Sequence, residues 1–358
     1  MKTKVAVLKT SPKTVLEDYA KLMHLAEYEK YLPKDKDTAL KINISWHFFY
    51  PACSTTPWQL EGVIKTLLAD GYKKELIYAS HNKTVVVSAK KGEVANKHKP
   101  VVEKYGLRNI HLYENEKWIR YEPKAKMRAL DSIFPDGITI PARMIGTNII
   151  HLPTMKTHVF TTITGAMKNA FGGLLHEKRH WTHSVIHETL VDLLAIQKEI
   201  HTGIFAVTDG AFAGNGPGPR CMVPFVKDYI LASADQVAID AIAAKMMGFD
   251  PMSLKFIRLA HEAGLGVGNP EEIEIVGEDI KGINFHFHEG DTFASRGQKS
   301  IYWGPLKPLE KMLLRSMITP WSYLASFLYH DVFWYPLIGY WRARKMLKTG
   351  WGQLFQNY

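Results

Sequence analysis

Segments with the pattern of buried strands alternate along the chain with segments that have the pattern of helices. The sequence predicts strands at 4–8, 38–44, 76–80, 138–140, 148–152 and 203–209, and helices at 14–31, 58–70, 85–105, 188–200 and 234–248. Such alternation is typical of an α/β fold, with a mainly parallel sheet and helices on both faces. We expect residues 1–300 to form this domain, as one body or as two lobes with a cleft between them. Residues 301–358 form an amphipathic, aromatic and basic C-terminal tail.

Composition and charge restrict the class of partner. The net charge of +10 favours an anionic partner, such as a phosphate, a carboxylate or an acidic lipid surface. The lysines are scattered and form no basic-aromatic block, which argues against nucleic acid. Two cysteines, Cys53 and Cys221, are too few for a disulfide framework or an iron–sulfur cluster. The N-terminus lacks the apolar segment of a secretory signal, so we expect a cytoplasmic protein.

The stretch 149–173 places polar side chains in a mainly apolar run. They surround Gly165 and are Lys156, His158, Thr161, Thr162, Thr164, Lys168 and Asn169. Unpaired charges are costly to bury, so these residues do not suit a plain core strand. Ligands of α/β sheets bind beyond the carboxyl ends of strands, and this stretch follows such an end. We predict the edge of an active site here; the alternative is an ordinary strand–loop–helix junction with exposed lysines.

Other predicted strands also end in polar residues. His47, His81 and Asp209 each follow one, and Asn215 lies in a loop rich in glycine and proline. A capped helix start is predicted further on, with Ser233 as the N-cap and Asp235 near the positive end of the helix dipole. Asp240, one turn into this helix, faces either the site or solvent.

Four histidines are spaced four, three and four residues apart, which on an α-helix places them on one face. They are His176, His180, His183 and His187. One interpretation is that these histidines form a solvated or hydrogen-bonded face of a helix. The other is that one of them, with His183 as the candidate, binds a metal ion. His176 and His180 also form a His-Glu-x-x-His sequence, the zinc-binding pattern of metalloproteases, with Glu177 as the base. The extended pattern is missing, so a zinc hydrolase is kept only as an alternative.

Several motifs resemble domain-of-unknown-function family 362. They are 156–158 (Lys-Thr-His), 164–172 (Thr-Gly-Ala-Met-Lys-Asn-Ala-Phe-Gly), 209–210 with 215–217, and 233–241. The resemblance covers about residues 38–270 and implies a fold more than a reaction. Some relatives carry the cysteines of a ferredoxin-type cluster; this chain lacks them, so no iron–sulfur cluster is expected.

A more distant resemblance is to the nickel-pincer lactate racemase family. Its ordered signature is matched by Thr56-Pro57, Ser80-His81, Thr157-His158, Lys168 and His183. The resemblance implies that His81 and His158 transfer protons, that Lys168 anchors the cofactor and that His183 binds the metal. The cofactor would be a nickel-pincer nucleotide or another divalent metal, held also by Thr56, Lys156, Thr164 and Asn169. The family's cofactor-binding arginine is absent, because residues 53–55 read Cys-Ser-Thr here.

The tail has its own composition. Residues 319–341 are rich in aromatic side chains, contain Asp331 as their only acidic residue and contain no lysine or arginine. Basic residues flank this segment: Lys311, Arg315, Arg342, Arg344, Lys345 and Lys348. Such a pattern suits an anchor on an anionic membrane surface, at the inner face of the membrane. Alternatives are a helical hairpin that packs on the domain or on a second subunit, as in a homodimer, and, least favoured, a membrane span.

The sequence therefore predicts an enzyme that uses histidine and lysine chemistry. The reaction is proton or hydride transfer of the isomerase or oxidoreductase type, with or without a metal. The substrate is an anionic small molecule or a lipid-soluble one. A membrane-docked binding or assembly protein without turnover and a zinc hydrolase through His176 and His180 remain the alternatives.

Overall fold

The computed structural model describes residues 2–358, apart from the side chain of Glu177. The strands are β1 (Thr3–Lys9), β2 (Thr38–Ile42), β3 (Ile77–His81), β4 (Arg108–His111), β5 (Trp118–Tyr121), β6 (Ile138–Pro141), β7 (Asn148–Leu152), β8 (Thr154–His158), β9 (Thr162–Ile163), β10 (Gly203–Asn215), β11 (Val223–Ser233) and β12 (Ile273–Gly277). The α-helices of the domain are α1 (Val15–Leu25), α2 (Pro57–Ala69), α3 (Ala89–Ala95), α4 (His98–Lys104), α5 (Leu130–Ile133), α6 (Ala166–Asn169), α7 (Phe171–Leu174), α8 (Ile186–Ile200), α9 (Gln236–Met247) and α10 (Lys255–Glu262). Those of the C-terminal part are α11 (Phe293–Trp303), α12 (Glu310–Leu314), α13 (Pro320–Phe327), α14 (Tyr340–Met346) and α15 (Gly350–Gln356).

One large sheet organises the molecule, in the order β12-β1-β11-β10-β7-β2-β3-β4. β11 is antiparallel to both of its neighbours, and the other pairs along this path are parallel. β8 continues beside β10 and forms a short antiparallel pair with β9. The predicted α/β class with a mainly parallel sheet is therefore confirmed.

The alternation of side chains along β1 shows how both faces of the sheet are covered. Val5 and Val7 join the core beneath α8, α9 and α10. Ala6 and Leu8 join the second core, beneath α1, α2 and α4. Successive residues of a strand point to opposite faces, so a strand buried on both sides is apolar throughout. This is why the parallel strands were recognisable in the sequence.

Two of the predicted strands differ in extent or pairing, and six strands were not predicted: β4, β5, β8, β9, β11 and β12. The strand expected at 203–209 continues to Asn215, and it pairs along its length with the unexpected β11. β11 was missed because it begins beside Pro224 and carries Lys227 and Asp228 in its exposed half. The strand expected at 138–140 exists as β6, but it pairs with β5 in a separate two-stranded sheet.

Helix boundaries differ for local reasons. The helix expected at 14–31 ends at Leu25, before Glu27 takes a left-handed conformation with φ 53°. Lys97, with φ 62°, divides the helix expected at 85–105 into α3 and α4. The N-cap of α9 is Asp235 instead of Ser233. The carboxylate of Asp235 accepts hydrogen bonds from the amides of Val237 and Ala238, whereas the Ser233 hydroxyl donates to the Lys4 carbonyl.

The aromatic tail forms a long helix on the second face of the sheet. α13 runs into a π-helical segment, Leu328–Gly339, and then directly into α14. The wider π-helical hydrogen bonding accommodates Pro336, which lacks an amide hydrogen. The indole of Trp46 donates to Asp331 over 2.6 Å, and the rings of Phe49 and Phe355 stack with centroids 3.8 Å apart. A continuous helix packed on the domain thus takes the place of the helical hairpin, which was one of the alternatives for the tail.

A membrane span is the least favoured of the three interpretations of the tail given above. Among residues 2–358, no helix has both the length and the apolar character that a bilayer crossing needs.

Candidate functional site

The turn from β9 into α6 is built around Gly165. The carboxylate of Asp240, on α9, accepts hydrogen bonds from the amides of Ala166 (2.7 Å) and Met167 (3.0 Å). A Cβ atom on Gly165 would overlap this carboxylate, so the position requires glycine. Asp240 was expected to face either the site or solvent. Its buried carboxylate faces the turn at Gly165, within the stretch predicted as the edge of the site, and is the anion that these two amides hold.

α6 presents Lys168 to two of the predicted histidines. The Lys168 ammonium lies 5.6 Å from the centre of the Phe171 ring, and the His183 ring lies 5.4 Å from the same ring. Phe160 contacts both His158 and His183, with ring centroids 5.6 Å apart in each pair. Each of the three polar side chains thus contacts one or both of these phenylalanines near the end of β8. We call Lys168, His158 and His183 the lysine–histidine cluster.

The hydrogen bonds of the two imidazoles assign them opposite tautomers. Nδ1 of His158 accepts from the backbone amide of Phe160 over 3.1 Å, so Nδ1 is bare and Nε2 carries the hydrogen. Nδ1 of His183 lies 2.8 Å from the carbonyl of His180 and must donate to it, so Nε2 is bare. One imidazole therefore offers a donor at Nε2 and the other offers a lone pair.

The cluster is electropositive. Burial, and then the charges of Lys156 and Arg179, lower the pKa of Lys168 to about 7. Burial also lowers the pKa of His183 to about 3, and that of His158 well below its ordinary value; in both cases the charge of Lys168 adds to the effect. Lys156, Arg179 and Lys299 add further positive charge near these three groups, and within the described residues the Lys168 ammonium makes no hydrogen bond or ion pair. A cationic group of side chains of this kind is suited to an anion.

Lys156 and Thr56 do not face the cluster. Lys156 is buried, and its ammonium donates to the carbonyl of Cys53 over 2.9 Å and to the hydroxyl of Thr154 over 2.6 Å. Thr56 caps α2 and donates to the carboxylate of Asp209. These contacts give both residues structural partners within the protein.

Asp209 is likewise held inside the protein. Its buried carboxylate accepts from the Tyr19 hydroxyl (2.6 Å), the Trp58 indole (2.8 Å) and the Thr56 hydroxyl (3.0 Å). It therefore fixes the start of α2 against β10 and α1.

Asn169 and Thr164 make contacts around the turn. The Asn169 amide donates to the carbonyl of Lys41 over 2.8 Å, which ties α6 to the end of β2. The Thr164 hydroxyl is half-buried and makes only long contacts with the carbonyls of Thr154 (3.4 Å) and Lys156 (3.5 Å).

His81 belongs to a different group of side chains. It lies at the end of β3, with Nε2 2.8 Å from Oδ1 of Asn109 and 3.4 Å from Oε2 of Glu93. Its ring stacks on that of His111, with centroids 5.0 Å apart. Lys41 contacts the residue after His81 and the residue after Lys168: its ammonium donates to Oδ1 of Asn82 over 3.0 Å, and its carbonyl accepts from the Asn169 amide.

The expected stripe of four histidines does not form. Residues 177–185 are a 3₁₀-helix, in which side chains three residues apart align and those four apart do not. His176 packs against Phe134, His183 against Phe160 and His187 against Phe256. The groups of potential metal ligands found among the described side chains include neither His176 nor His180. Because this segment is a 3₁₀-helix, His176 and His180 do not have the α-helical i, i+4 geometry of a zinc protease. The side chain of Glu177, the expected base, lies outside the described residues.

Asn215 lines a cavity of about 490 Å³ beneath the tail helix. Its amide contacts His288, and the other walls include Asp291, Tyr329, Trp334 and Arg342. The cavity is lined by none of the three members of the lysine–histidine cluster. Asn215 is therefore removed from the predicted site.

Some residues of the site were not found by sequence reasoning. Phe160 and Phe171 look like ordinary apolar positions, and Arg179 was considered only as part of the His-Glu-x-x-His sequence. The Arg179 guanidinium is buried and donates to the carbonyl of Lys83 over 2.6 Å. Arg179 lies beside α6 because the chain turns at Gly172-Gly173. The sequence predicts a turn at these glycines but not the direction in which the chain leaves it.

These features define an α/β protein with a cationic site at the carboxyl end of a strand that adjoins the main sheet. The chain belongs to the domain-of-unknown-function family DUF362, whose model matches residues 38–245. It is also similar to a thylakoid-associated protein of Synechocystis, with 27% identity over 135 residues. That alignment covers 36% of this chain and 40% of the relative, so the chain spans less than half of that protein.

Proposed function

We propose that this protein is an enzyme that binds an anionic small molecule at Lys168 and transfers a proton with His158 and His183. The observation that carries the proposal is the Lys168 ammonium, which has no hydrogen bond or ion pair within the described residues and lies beside two imidazoles of opposite tautomer. A half-buried lysine without a partner is costly, and a bound carboxylate or phosphate would remove that cost.

The tautomers support a division of roles. The bare Nε2 of His183 suits a general base that removes a proton from a carbon next to a carbonyl group. The Nε2–H group of His158 suits a donor to the oxygen on which negative charge then develops. Lys168 would hold the anionic end of the substrate. Return of the proton to the other face of the same carbon, or to a neighbouring atom, would complete an isomerisation.

Binding of an anion would also shift the pKa values of both imidazoles toward the range in which they can transfer protons. In the free protein the positive charge of Lys168 helps to lower the pKa of both His158 and His183. A bound anion would offset this charge and raise both values toward the neutral range, where proton transfer is efficient. His183 thereby replaces His81 as the second imidazole of the proposed reaction.

A nickel-pincer nucleotide fits these residues only in part. The ammonium of Lys168 and the bare Nε2 of His183 are the atoms that the distant resemblance assigns to the cofactor. Thr56, assigned to the same cofactor, instead donates to Asp209. No step is therefore assigned to a cofactor.

The test is hydrogen exchange in D₂O with a panel of 2-hydroxy and 2-oxo carboxylates and phosphorylated counterparts, followed by NMR. We expect wild-type protein to exchange the carbon-bound hydrogen of at least one compound. Lys168→Met, His158→Gln and His183→Gln should lose this exchange, whereas His24→Gln and Lys65→Met, on exposed faces of α1 and α2, should retain it. Absence of exchange across the panel, or exchange that survives all three site substitutions, contradicts the proposal.

A second function, docking to an anionic membrane surface, is supported by the outer face of the tail helix. Large apolar side chains along it are more than two-fifths exposed: Trp321, Leu324, Phe327, Leu328, Val332, Phe333, Leu337, Tyr340 and Trp341. Arg344, Lys345 and Lys348 are exposed at its end, whereas Arg342 turns inward to the Met222 carbonyl. An apolar face with flanking cations suits the headgroup region of an anionic bilayer. The name of the thylakoid-associated relative agrees with this proposal.

A further inference from the structure

A second group of polar side chains lies at the ends of β3 and β4, apart from the lysine–histidine cluster. Oε2 of Glu93, on α3, is 3.4 Å from Nε2 of His81 and 3.2 Å from Nε2 of His111. Asn109 completes the group, with Oδ1 2.8 Å from Nε2 of His81. Two nitrogens and an oxygen thus converge on one point from two strands and a helix. We call these four residues the His81–Glu93 group.

The charge of this group is unbalanced. Glu93 is buried, and Oε2 of its carboxylate accepts a hydrogen bond from the Asn109 amide over 2.9 Å and lies 3.2 Å from Nε2 of His111. Within the part of the chain that the structure describes, the ion-pair partners of Glu93 are His81 and His111, and no lysine or arginine is among them. A buried carboxylate with no lysine or arginine beside it is suited to binding a cation.

From this geometry we propose that the His81–Glu93 group binds a divalent first-row transition metal ion. The ligands are Nε2 of His81, Nε2 of His111 and Oε2 of Glu93, with Oδ1 of Asn109 as a fourth. Two imidazoles and one carboxylate are a common protein ligand set for Zn²⁺ and Fe²⁺. Magnesium and calcium prefer oxygen ligands and are not expected here.

The distances agree with this assignment. Bonds of about 2.0–2.2 Å from metal to nitrogen or oxygen separate neighbouring ligands by roughly 3.0–3.4 Å. The spacings of 3.4 Å and 3.2 Å from Glu93 to the two imidazoles fall in this range. The 2.8 Å between Oδ1 of Asn109 and Nε2 of His81 is shorter, so the Asn109 side chain would move outward when an ion binds.

Position in the fold distinguishes this ion from the metal that the distant resemblance suggested. That metal would be held by His183, in the lysine–histidine cluster. The ion proposed here lies at the carboxyl ends of two neighbouring parallel strands, where ligands of α/β sheets bind. The competing interpretation is a plain hydrogen-bonded group, in which His111 and Asn109 donate to Glu93. Nδ1 of His81 is buried without a hydrogen bond within residues 2–358 and does not discriminate between the two interpretations.

The experiment is titration of the untagged, chelator-treated full chain with Co²⁺, read by its visible d–d absorption, with competition by Zn²⁺. We expect one equivalent of Co²⁺ to bind with the bands of a nitrogen–oxygen site, and Zn²⁺ to displace it. His111→Gln and Glu93→Gln should weaken binding on the order of 100-fold or more. His111 is half-buried, so its substitution tests the proposal even if Glu93→Gln does not fold.

The matched control is Glu29→Gln. Glu29 belongs to the other group of potential ligands, with His24 and Asp70, which is largely exposed. Its substitution should leave the d–d bands and the affinity unchanged. Bands that are absent from wild-type protein, that persist at full affinity in His111→Gln, or that disappear in Glu29→Gln would overturn the assignment.

Discussion

The carboxylate of Asp240 fills the space that a Cβ atom on Gly165 would need. Through this contact, α9 fixes the first turn of α6 and therefore the position of Lys168. Asp240, which contacts neither His158 nor His183, thus determines the position of Lys168 in the lysine–histidine cluster.

Substitution of Gly165 should therefore affect both stability and the site. Gly165→Ala would displace the Asp240 carboxylate and leave the buried amides of Ala166 and Met167 without an acceptor. We expect a loss of roughly 2–4 kcal/mol in the free energy of unfolding, measured by urea denaturation. Gly282→Ala is the control, since a Cβ there meets open space, and its effect should stay within about 0.5 kcal/mol. If the two variants had the same free energy of unfolding, α6 and Asp240 would accommodate the extra methyl group without loss of stability.

Asp209 tests whether a polar strand-end residue is structural. Asp209→Ala would leave the hydroxyl of Tyr19 and the indole of Trp58 without an acceptor in the core. The expected loss of unfolding free energy is roughly 3–5 kcal/mol, whereas Asp136→Ala, at an exposed position, should be near neutral. If Asp209→Ala kept its stability but lost the hydrogen exchange described above, the residue would be functional instead.

Periodicity made the architecture predictable but left the antiparallel part of the sheet unseen. A buried parallel strand such as β7 reads as a continuous apolar run, and its predicted bounds were correct. β11 is buried at one end and exposed at the other, so its pattern resembled a loop. Burial of β11 depends on its pairing with β10, a contact that a local pattern does not contain.

The site was predictable as a segment but only partly as a set of contacts. The order of residues indicated that His158 and Lys168 share a strand end, and the structure brings them together. Which other imidazole joins them was not predictable, because a 3₁₀-helix and the turn at Gly172 direct His183 toward Phe160. Glu93 gave no signal in the sequence, since its partner His111 comes from a strand that was not predicted.

The lowered pKa of Lys168 predicts a specific dependence of stability on pH. Its pKa falls from the usual 10.5 to about 7, so above pH 7 the folded state binds fewer protons at this site than the unfolded state. Stability should therefore rise with pH between about 7 and 10.5, by at most about 1.4 kcal/mol per pH unit. The measurement is urea denaturation of wild-type protein and Lys168→Met below and above pH 7. The wild type should gain stability relative to Lys168→Met as the pH rises, and Lys65→Met should follow the wild type. A difference that does not change with pH contradicts the lowered pKa.

Membrane docking is best tested on the exposed face of the tail helix, because the opposite face covers Trp46 and Phe49 and truncation would uncover them. Leu324 and Leu337 are 58% and 60% exposed, so the double substitution Leu324→Ser/Leu337→Ser removes apolar area without disturbing the core. We expect it to weaken flotation with phosphatidylserine-containing liposomes by roughly tenfold or more, since each buried leucine contributes about 1.5–3 kcal/mol. The matched control is Val94→Ser/Ile145→Ser, at positions 55% and 44% exposed outside the tail.

High salt should weaken wild-type binding only in part, because the apolar contribution persists while that of Arg344, Lys345 and Lys348 is screened. Wild-type protein that ignores liposomes but forms a dimer disrupted by the leucine substitutions would identify this face as a subunit interface and exclude the membrane.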